Sequence, residues 1–340
     1  MTEQLDQAQV QSAPMPSVLT VTPSPHVRRK KIETTRLMLD VIIALAPATL
    51  WGIAAFGWRA ALVVVLATVS AVFFEWMMRK LMKRPMTVSD CSAAVTGLLL
   101  GLNLSASAPW YVPVVGSAFA IIVVKQLFGG IGRNIMNPAL AARVFLMMCW
   151  PASMSEWVKP FAYGAADTVA GATPLVALKG GALPEESLLD LFLGMTPGCI
   201  GEISALLLLV GGVYLLIRRV ISWQIPVCML GTVALLTLLF PQGDLSGWEF
   251  MSRSLCSGGL MIGAFFMATD YVTSPATNPG RVIFGVGCGL LVVFIRFFGG
   301  YPEGVSFAIL IMNSLVWYLD MVTRPRVYGK TRGKRGKTNG

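Results

Sequence analysis

The stretch CSAAVTGLLLGLNLSASAP (Cys91–Pro109) decides the fold, because it is an apolar segment that stops short of membrane-spanning length at a polar residue, Asn103. It resembles CSGGLMIGAFFMATDYVTSP (Cys256–Pro275), which stops in the same way at Asp270. A Ser/Pro turn follows the polar residue in each case. Short segments of this kind are either buried inside a helix bundle or end part-way through a bilayer.

A second pair of stretches repeats at nearly the same spacing. VKQLFGGIGRNIMNPALAARVFL (124–146) parallels FIRFFGGYPEGVSFAILIMN (294–313), and both are aligned on a Phe-Gly-Gly step. The separation is about 165 to 170 residues in both pairs, as expected of an internal repeat rather than of a chance recurrence of Gly-Gly turns.

The composition indicates a polytopic membrane protein. The 340 residues are 55% hydrophobic and only 13% charged, whereas soluble domains are typically about 25% charged. A spanning helix needs about 20 mainly apolar residues. Ten segments are candidates: 37–57, 60–82, 91–106, 110–128, 137–150, 199–217, 223–240, 253–269, 282–298 and 305–322. Five spans in each half is an odd number, so the second half would be inserted upside down relative to the first. We therefore predict an all-α fold of about ten transmembrane helices, arranged as two inverted five-helix repeats with interrupted short helices.

The basic residues orient these spans. Most of the 27 Lys and Arg flank the segments on one side, which we assign to the cytoplasm by the positive-inside rule. Clusters next to apolar segments are typical of topology determinants, so the net charge of +10 does not predict a nucleic-acid partner. The predicted organisation is a cytoplasmic tail (1–27), a first repeat (28–150), a periplasmic loop (151–198), a second repeat (199–322) and a basic cytoplasmic tail (323–340).

The cysteine and histidine content excludes two kinds of redox centre. The six cysteines are scattered without a CxxC pair, so the chain is not expected to build an iron–sulfur cluster by itself. A single histidine, His26, excludes a haem with two histidine ligands from this chain. No Gly-rich dinucleotide loop follows a strand pattern, so binding of NAD is expected to belong to partner chains.

The predicted periplasmic loop contains the sequence DTVAGATPL, which places Thr173 after three small residues and before Pro174. A threonine in such a position can be an ordinary turn or capping residue. Its hydroxyl can also accept a phosphoryl group from a modifying enzyme. Catalysis by a Ser/Thr–His pair is not expected, because no histidine lies nearby.

The sequence Asp-x-x-Ala-Gly-Ala-Thr resembles the attachment motif for covalent FMN. FGGIGRNIMNPALAARVF (128–145) and FFMATDYVTSPATNPGRVIFG (265–285) are similar to signature regions of the D subunits of Rnf electron-transport complexes. The B subunits of sodium-translocating NADH:quinone oxidoreductases form the sister group. TPGCIGEISALLLLVGG (196–212) and YPEGVSFAILIMNSLVWYLD (301–320) fit as well, so the resemblance covers about residues 24–325.

The resemblance implies a function and a set of cofactors. The chain would be a membrane subunit that passes electrons between ferredoxin and NAD with coupled Na⁺ or H⁺ translocation, in a bacterial inner membrane. FMN would be esterified to Thr173 by a flavin transferase, with Asp167, Gly171 and Ala172 belonging to the attachment motif. A second, non-covalent flavin, riboflavin, would lie near Ser24–His26 or near GRNIMNPA (132–139). The other membrane and peripheral subunits (A, B, C, E and G) and membrane lipid would be partners.

Ionisable residues inside apolar segments are functional candidates. Asp270 and Asn103 are our candidates for an ion pathway, because the two interrupted helices could meet near the membrane midplane. We expect Arg143 to face a cavity or to pair with a carboxylate. Arg296 could extend its charge to the membrane surface, but Lys125 and Arg296 occupy equivalent repeat positions, which favours a structural role for both. We name no catalytic residue and no metal site.

Two other functions also suit this sequence. Inverted repeats with interrupted helices are also a design of channels and transporters for small solutes. The chain could instead be a structural subunit that anchors redox partners without a cofactor. The FMN-attachment motif is the feature that neither alternative explains.

Overall fold

The computed structural model describes residues 34–161, 173–184, 186–243, 245–300 and 303–324. These residues form helices and connecting segments, with no strand among them. The helices of the first half are α1 (Thr34–Phe56), α2 (Trp58–Leu81), α3 (Ser92–Leu102), α4 (Tyr111–Ala118) with a π-helical continuation (Phe119–Gln126), and α5 (Pro138–Cys149). Three short helices lie between the halves: α6 (Pro151–Ser155), α7 (Pro174–Lys179) and α8 (Leu188–Leu193).

The second half begins after these short helices. Its helices are α9 (Ala205–Ile217), α10 (Gln224–Leu239), α11 (Gly247–Cys256), α12 (Leu260–Ile262) with a π-helical continuation (Gly263–Met267), α13 (Asn278–Phe298) and α14 (Val305–Thr323). Each of the ten predicted apolar segments therefore contains a helix or a pair of helices. The all-helical fold expected of a polytopic membrane protein is confirmed.

The helices differ in their capacity to cross a bilayer. Four of the described helices, α1, α2, α13 and α14, are long and apolar enough to span by themselves. The eighth predicted span is not one continuous helix, because α11 and the Leu260–Met267 segment are bent by 66° relative to each other. The break lies at Ser257–Gly259, where Gly258 has a φ of 66° that only glycine adopts without strain. The remaining apolar helices of 10–17 residues are α3, α4 with its continuation, α5, α9 and α10.

Helix packing follows the predicted repeat. In the first half α2 packs against α3 and α4, and in the second half α10 packs against α13. Between the halves, α1 contacts α9 and α5 contacts α14. In a five-plus-five repeat α1 corresponds to α9 and α5 to α14, so each contact joins equivalent helices. Small residues permit the close approach: a Cβ at Gly52 would lie under 3.0 Å from the Ile200 carbonyl oxygen.

The interrupted helices of the two halves end beside each other. Asn103 caps the C-terminus of α3, and its side-chain amide donates to the Leu99 carbonyl at 2.6 Å. The same amide nitrogen lies 3.9 Å from the sulfur of Met267, the last residue of the π-helical segment after α12. Asn137, the N-cap of α5, donates to the Met267 carbonyl at 3.2 Å. The Asn103 amide therefore connects the end of α3, and the Asn137 amide the start of α5, to the end of the π-helical segment.

Candidate functional site

Thr173 lies directly before α7, as its N-cap residue, in an extended conformation with φ −65° and ψ 149°. Pro174 occupies the first helical position, where its missing N–H costs nothing. The Thr173 side chain does not cap the helix, and its residue is only 7% exposed. Its hydroxyl makes no hydrogen bond within the described part of the chain. The other motif residues, Asp167, Gly171 and Ala172, lie outside the described residues.

Thr173 borders a cavity of about 20 Å³, which we call the Thr173 cavity. The segment before α9 and the break between α11 and α12 supply the opposite walls. The lining combines hydroxyls, glycines, a thiol and two carboxylates: Thr196, Gly198, Glu202, Cys256, Ser257, Gly258 and Glu303 are among its residues. Its walls are thus formed by segments far apart in the sequence.

Two of these lining residues belong to a buried ionic group, which we call the Arg143 cluster. It consists of Asn103, Arg143, Cys199, Glu202 and Glu303. One guanidinium nitrogen of Arg143 donates to Glu202 at 3.0 Å and to the side-chain oxygen Oδ1 of Asn103 at 2.5 Å. The other donates to Glu303 and contacts the Cys199 sulfur at 3.3 Å. The expectation that Arg143 pairs with a carboxylate is therefore confirmed.

Sequence reasoning did not single out Glu202 and Glu303. Both lie in stretches that carry the family resemblance, TPGCIGEIS and YPEG, at the edge of an apolar segment. An acid at that boundary is the only signal available in the sequence, because its partner Arg143 is 59 residues from Glu202 and 160 from Glu303.

A second buried ion pair lies in the first half of the chain. The Lys125 ammonium is 2.8 Å from a carboxylate oxygen of Glu75, and the two side chains are 2% and 0% exposed. Lys125 also donates to the Ser92 hydroxyl at 2.6 Å. The other Glu75 oxygen accepts from Thr87 at 3.0 Å and from Gln126 at 3.2 Å. The positive charge of Lys125, near the end of the predicted span 110–128, is therefore neutralised inside the protein by Glu75.

A larger cavity of about 250 Å³ lies between the two halves. Residues of α1, α3, α5 and α9 and of the segment after α12 line it. Phe265 and Phe266 contribute aromatic rings, and Lys125, Asn134 and Asn137 contribute polar groups. The side-chain oxygen of Asn134 is buried there without a hydrogen-bond partner among the described atoms. A mostly apolar cavity with a few polar groups is typical of a small-molecule site.

Asp270 also lines this larger cavity, in the loop after the Gly263–Met267 segment. Its carboxylate accepts a hydrogen bond from Thr273 at 3.0 Å. Burial raises the pKa of Asp270, because desolvation disfavours the charged form. Burial also raises the pKa of the neighbouring Tyr271, to about 12, and its hydroxyl donates to the Val220 carbonyl. Asn103 lies in the Arg143 cluster, so the two candidate ion-pathway residues belong to separate hydrogen-bonded groups.

The structural role favoured for Arg296 is confirmed, whereas extension of its charge to the membrane surface is not. Its side chain is only 1% exposed and does not reach a membrane surface. Its guanidinium donates to the carbonyl of Ser254 at 2.9 Å and to that of Ser257 at 3.0 Å, where the bend between α11 and α12 leaves carbonyls without helical partners. The charge is therefore used to stabilise the break.

Comparisons with known proteins agree with the motifs. The family described as "NQR2, RnfD, RnfE family" matches residues 20–329. The D subunit of the Na⁺-translocating ferredoxin:NAD⁺ oxidoreductase complex of Acetobacterium woodii is 48% identical over 93% of this chain and 97% of its own length. The D subunit of the proton-translocating complex of Clostridium ljungdahlii is 41% identical over 93% and 98%. The D subunit of the ion-translocating oxidoreductase complex of Stutzerimonas stutzeri is 44% identical over 89% and 93%.

Proposed function

Because the chain belongs to the NQR2, RnfD, RnfE family, we propose that it is a flavin-carrying membrane subunit of an ion-translocating ferredoxin:NAD⁺ oxidoreductase complex. It would pass electrons within the complex while Na⁺ or H⁺ is translocated. Two relatives differ in the coupling ion that their names give, Na⁺ in one and protons in the other. Partner chains would bind ferredoxin and NAD, so this chain is not catalytically complete alone.

We propose that Thr173 carries FMN through a phosphodiester formed by a flavin transferase. The observation that supports this most is the Thr173 hydroxyl, which ends the motif Asp-x-x-Ala-Gly-Ala-Thr and makes no hydrogen bond to another described residue. Small residues and hydroxyls line the cavity beside it. A Cβ built at Gly258, one of the lining residues, would lie 3.1 Å from the Arg296 guanidinium.

The hydroxyls and glycines of this lining suit the phosphodiester end of the cofactor, whereas the carboxylates of Glu202 and Glu303 oppose it, because they carry charge of the same sign. A volume of about 20 Å³ is too small for an isoalloxazine ring, so the ring is not contained in the Thr173 cavity. When bound, FMN would supply the redox chemistry, while the protein supplies position and electrostatics. A covalent tether would also prevent loss of the flavin from the periplasmic side.

The larger cavity is the place we propose for riboflavin, the second flavin. Its volume of about 250 Å³ approaches the lower end of small-molecule pockets, roughly 300 Å³. Four residues of the GRNIMNPA stretch line it: Asn134, Asn137, Pro138 and Ala139. The other sequence candidate, Ser24–His26, lies outside the described residues.

We propose an inner-membrane location with both termini in the cytoplasm and residues 151–198 on the periplasmic side. The support is the distribution of Lys and Arg along the sequence. The neighbouring subunits of the complex, the transferase and lipid are the proposed partners. Asp270 and Asn103 remain our proposed ion pathway. Each residue lies at or just after the end of one of the two interrupted helices.

In-gel flavin fluorescence tests the attachment. The full-length chain is co-expressed with a flavin transferase, denatured and run on a gel, alongside Thr173→Ala and Thr173→Ser variants. We expect fluorescence in the wild type and none in Thr173→Ala, while Thr173→Ser retains a hydroxyl and some labelling.

The matched control is Thr196→Ala, which removes a threonine hydroxyl from the same cavity but not the attachment site, and it should fluoresce like the wild type. A wild-type band without fluorescence would refute the flavin proposal and favour a cofactor-free structural subunit.

A further inference from the structure

Arg79 is a buried cation with few hydrogen-bond partners. It lies near the end of α2 and is only 6% exposed. Its Nη1 donates to the Pro85 carbonyl at 3.5 Å, which is longer than the usual range of about 2.7–3.2 Å. Its Nε is buried without a partner, and it forms no ion pair with a carboxylate among the described side chains. A buried guanidinium without a counterion is unfavourable, because nothing offsets its loss of hydration.

The acid of α2 is already neutralised by another cation. Glu75 lies four residues before Arg79, the spacing at which side chains of a helix can meet. One Glu75 oxygen is 2.8 Å from the Lys125 ammonium, and the other accepts from Thr87 and Gln126. Two buried cations therefore have one carboxylate between them, and the group carries an excess positive charge.

A turn of two glycines holds a second guanidinium beside Arg79. A Cβ built at Gly130 would lie 2.3 Å from Nη2 of Arg79, and one built at Gly129 would lie 2.8 Å from Cδ of Arg133. The Cα atoms of two consecutive residues are about 3.8 Å apart, so the two arginines pack against adjacent positions. Arg133 is exposed and also forms no ion pair with a described carboxylate. Two cations held this way repel each other unless an anion lies beside them.

The side chains next to the two arginines are apolar and exposed. Leu81 is the last residue of α2, and Leu127 and Phe128 directly precede the two glycines. Exposed apolar side chains beside cations are typical of the boundary between the hydrocarbon of a bilayer and its headgroups. The phosphate of a lipid lies at that boundary, and its acyl chains can cover these apolar side chains. A free phosphate would leave them uncovered.

We propose that Arg79 and Arg133, on the Gly129–Gly130 turn, bind the phosphate of an anionic membrane lipid. Nη2 of Arg79 and the Arg133 guanidinium donate to phosphate oxygens, and the negative charge neutralises the excess cation. The end of α2 faces the cytoplasmic leaflet in the proposed topology, where basic pockets between helices bind anionic headgroups. This inference gives a location to the lipid partner proposed above, on which it rests, and it does not depend on the flavin.

The chain offers variants that separate this site from general attraction between basic residues and lipid. Arg79→Gln and Arg133→Gln each remove one cation from the site, whereas Arg79→Lys keeps the charge without the planar guanidinium. Lys80→Gln is the matched control. It makes the same change of charge one residue further along α2, at an exposed ammonium that lies over the Trp76 ring, 5.0 Å from its centroid.

Native mass spectrometry of the full-length chain counts the lipids that it retains. The chain is purified in detergent micelles, freed of lipid, and titrated with phosphatidylglycerol, with zwitterionic phosphatidylcholine, or with inorganic phosphate alone. At equal phosphatidylglycerol concentration the wild type should retain one molecule more than Arg79→Gln. Arg79→Gln and Arg133→Gln should bind that lipid roughly tenfold more weakly or worse, with Arg79→Lys between them and the wild type. Lys80→Gln should match the wild type, and phosphatidylcholine should bind all variants alike.

The results decide both the site and its ligand. Equal binding of phosphatidylglycerol by the wild type, Arg79→Gln and Arg133→Gln would refute the proposal, and so would an equal loss in Lys80→Gln. If inorganic phosphate binds the wild type but not Arg79→Gln and displaces phosphatidylglycerol, the phosphate site stands and the lipid is overturned as its ligand. Because Arg133 is exposed, Arg133→Gln provides the measurement if Arg79→Gln fails to fold. In-gel fluorescence of the same samples reports the flavin, so failure of the lipid site and failure of the flavin proposal are distinguishable.

Discussion

Replacing Lys125 with methionine tests how the protein tolerates its buried ion pair. Lys125 and Glu75 are almost fully buried and lie 2.8 Å apart. The substitution leaves Glu75 with only the hydrogen bonds from Thr87 and Gln126. Breaking a buried pair by removing one partner typically costs about 3–5 kcal/mol, because the remaining charge is uncompensated. We therefore expect the free energy of unfolding to fall by about that amount.

The double variant Lys125→Met/Glu75→Leu separates the ion pair from packing. Because it leaves no unpaired charge, we expect it to be more stable than Lys125→Met alone and the cycle to give a coupling energy of about 2–3 kcal/mol. The assay is unfolding in mixed micelles by titration with SDS, followed by far-UV circular dichroism, on the wild type, both single variants and the double variant.

The pair Glu249–Arg253 provides the control cycle. It is an i,i+4 pair on α11 whose side chains are 42% and 12% exposed, so a coupling of only about 0.3–0.5 kcal/mol is expected. The reasoning about burial is wrong if the costs of the Lys125 and Glu75 single variants simply add in the double variant, or if the two cycles give equal coupling energies.

Three further predictions concern packing, hydrogen bonding and ion flow. Gly52→Ala should lower the SDS midpoint by the equivalent of about 1–3 kcal/mol through overpacking, whereas Gly231→Ala, whose Cβ would meet nothing within 4 Å, should not lower it. Tyr271→Phe should cost about 1 kcal/mol. The folded-state pKa of Tyr271 is about 12 and its ordinary value is 10.0. The stabilisation contributed by the Tyr271 hydroxyl should therefore be complete below pH 10 and disappear as pH rises toward 12. The tyrosinate absorbance difference between wild type and variant should titrate near pH 12. Asp270→Asn should reduce the ions moved per electron by the complex in proteoliposomes, and unchanged pumping at equal electron flux would exclude Asp270 from the pathway.

The sequence was sufficient for features that depend on local composition. The apolar segments predict the helices, because the transfer of about 20 apolar residues into lipid depends on the segment itself and not on the helices that pack against it. Asn103 is correctly predicted to end its helix, since it is the C-cap residue of α3.

The contacts of the buried charges depended on tertiary structure. Arg143 could be expected to find a carboxylate, but only the packing of α5 against the segments before α9 and α14 selects Glu202 and Glu303. The repeat position of Arg296 indicated a structural role, but its partners could not be named, because hydropathy does not show that a bend elsewhere leaves two carbonyls in need of a donor.

The sequence by itself determined the class of fold and the family, and it predicted the repeat and the threonine proposed to carry the flavin. The tertiary structure decided that this threonine lines the same cavity as two glutamates that pair with a buried arginine. The physical reason is range: hydrophobicity and helix breaking are properties of a few consecutive residues, whereas a buried ion pair forms between residues as far apart as 160 positions and exists only when helices pack.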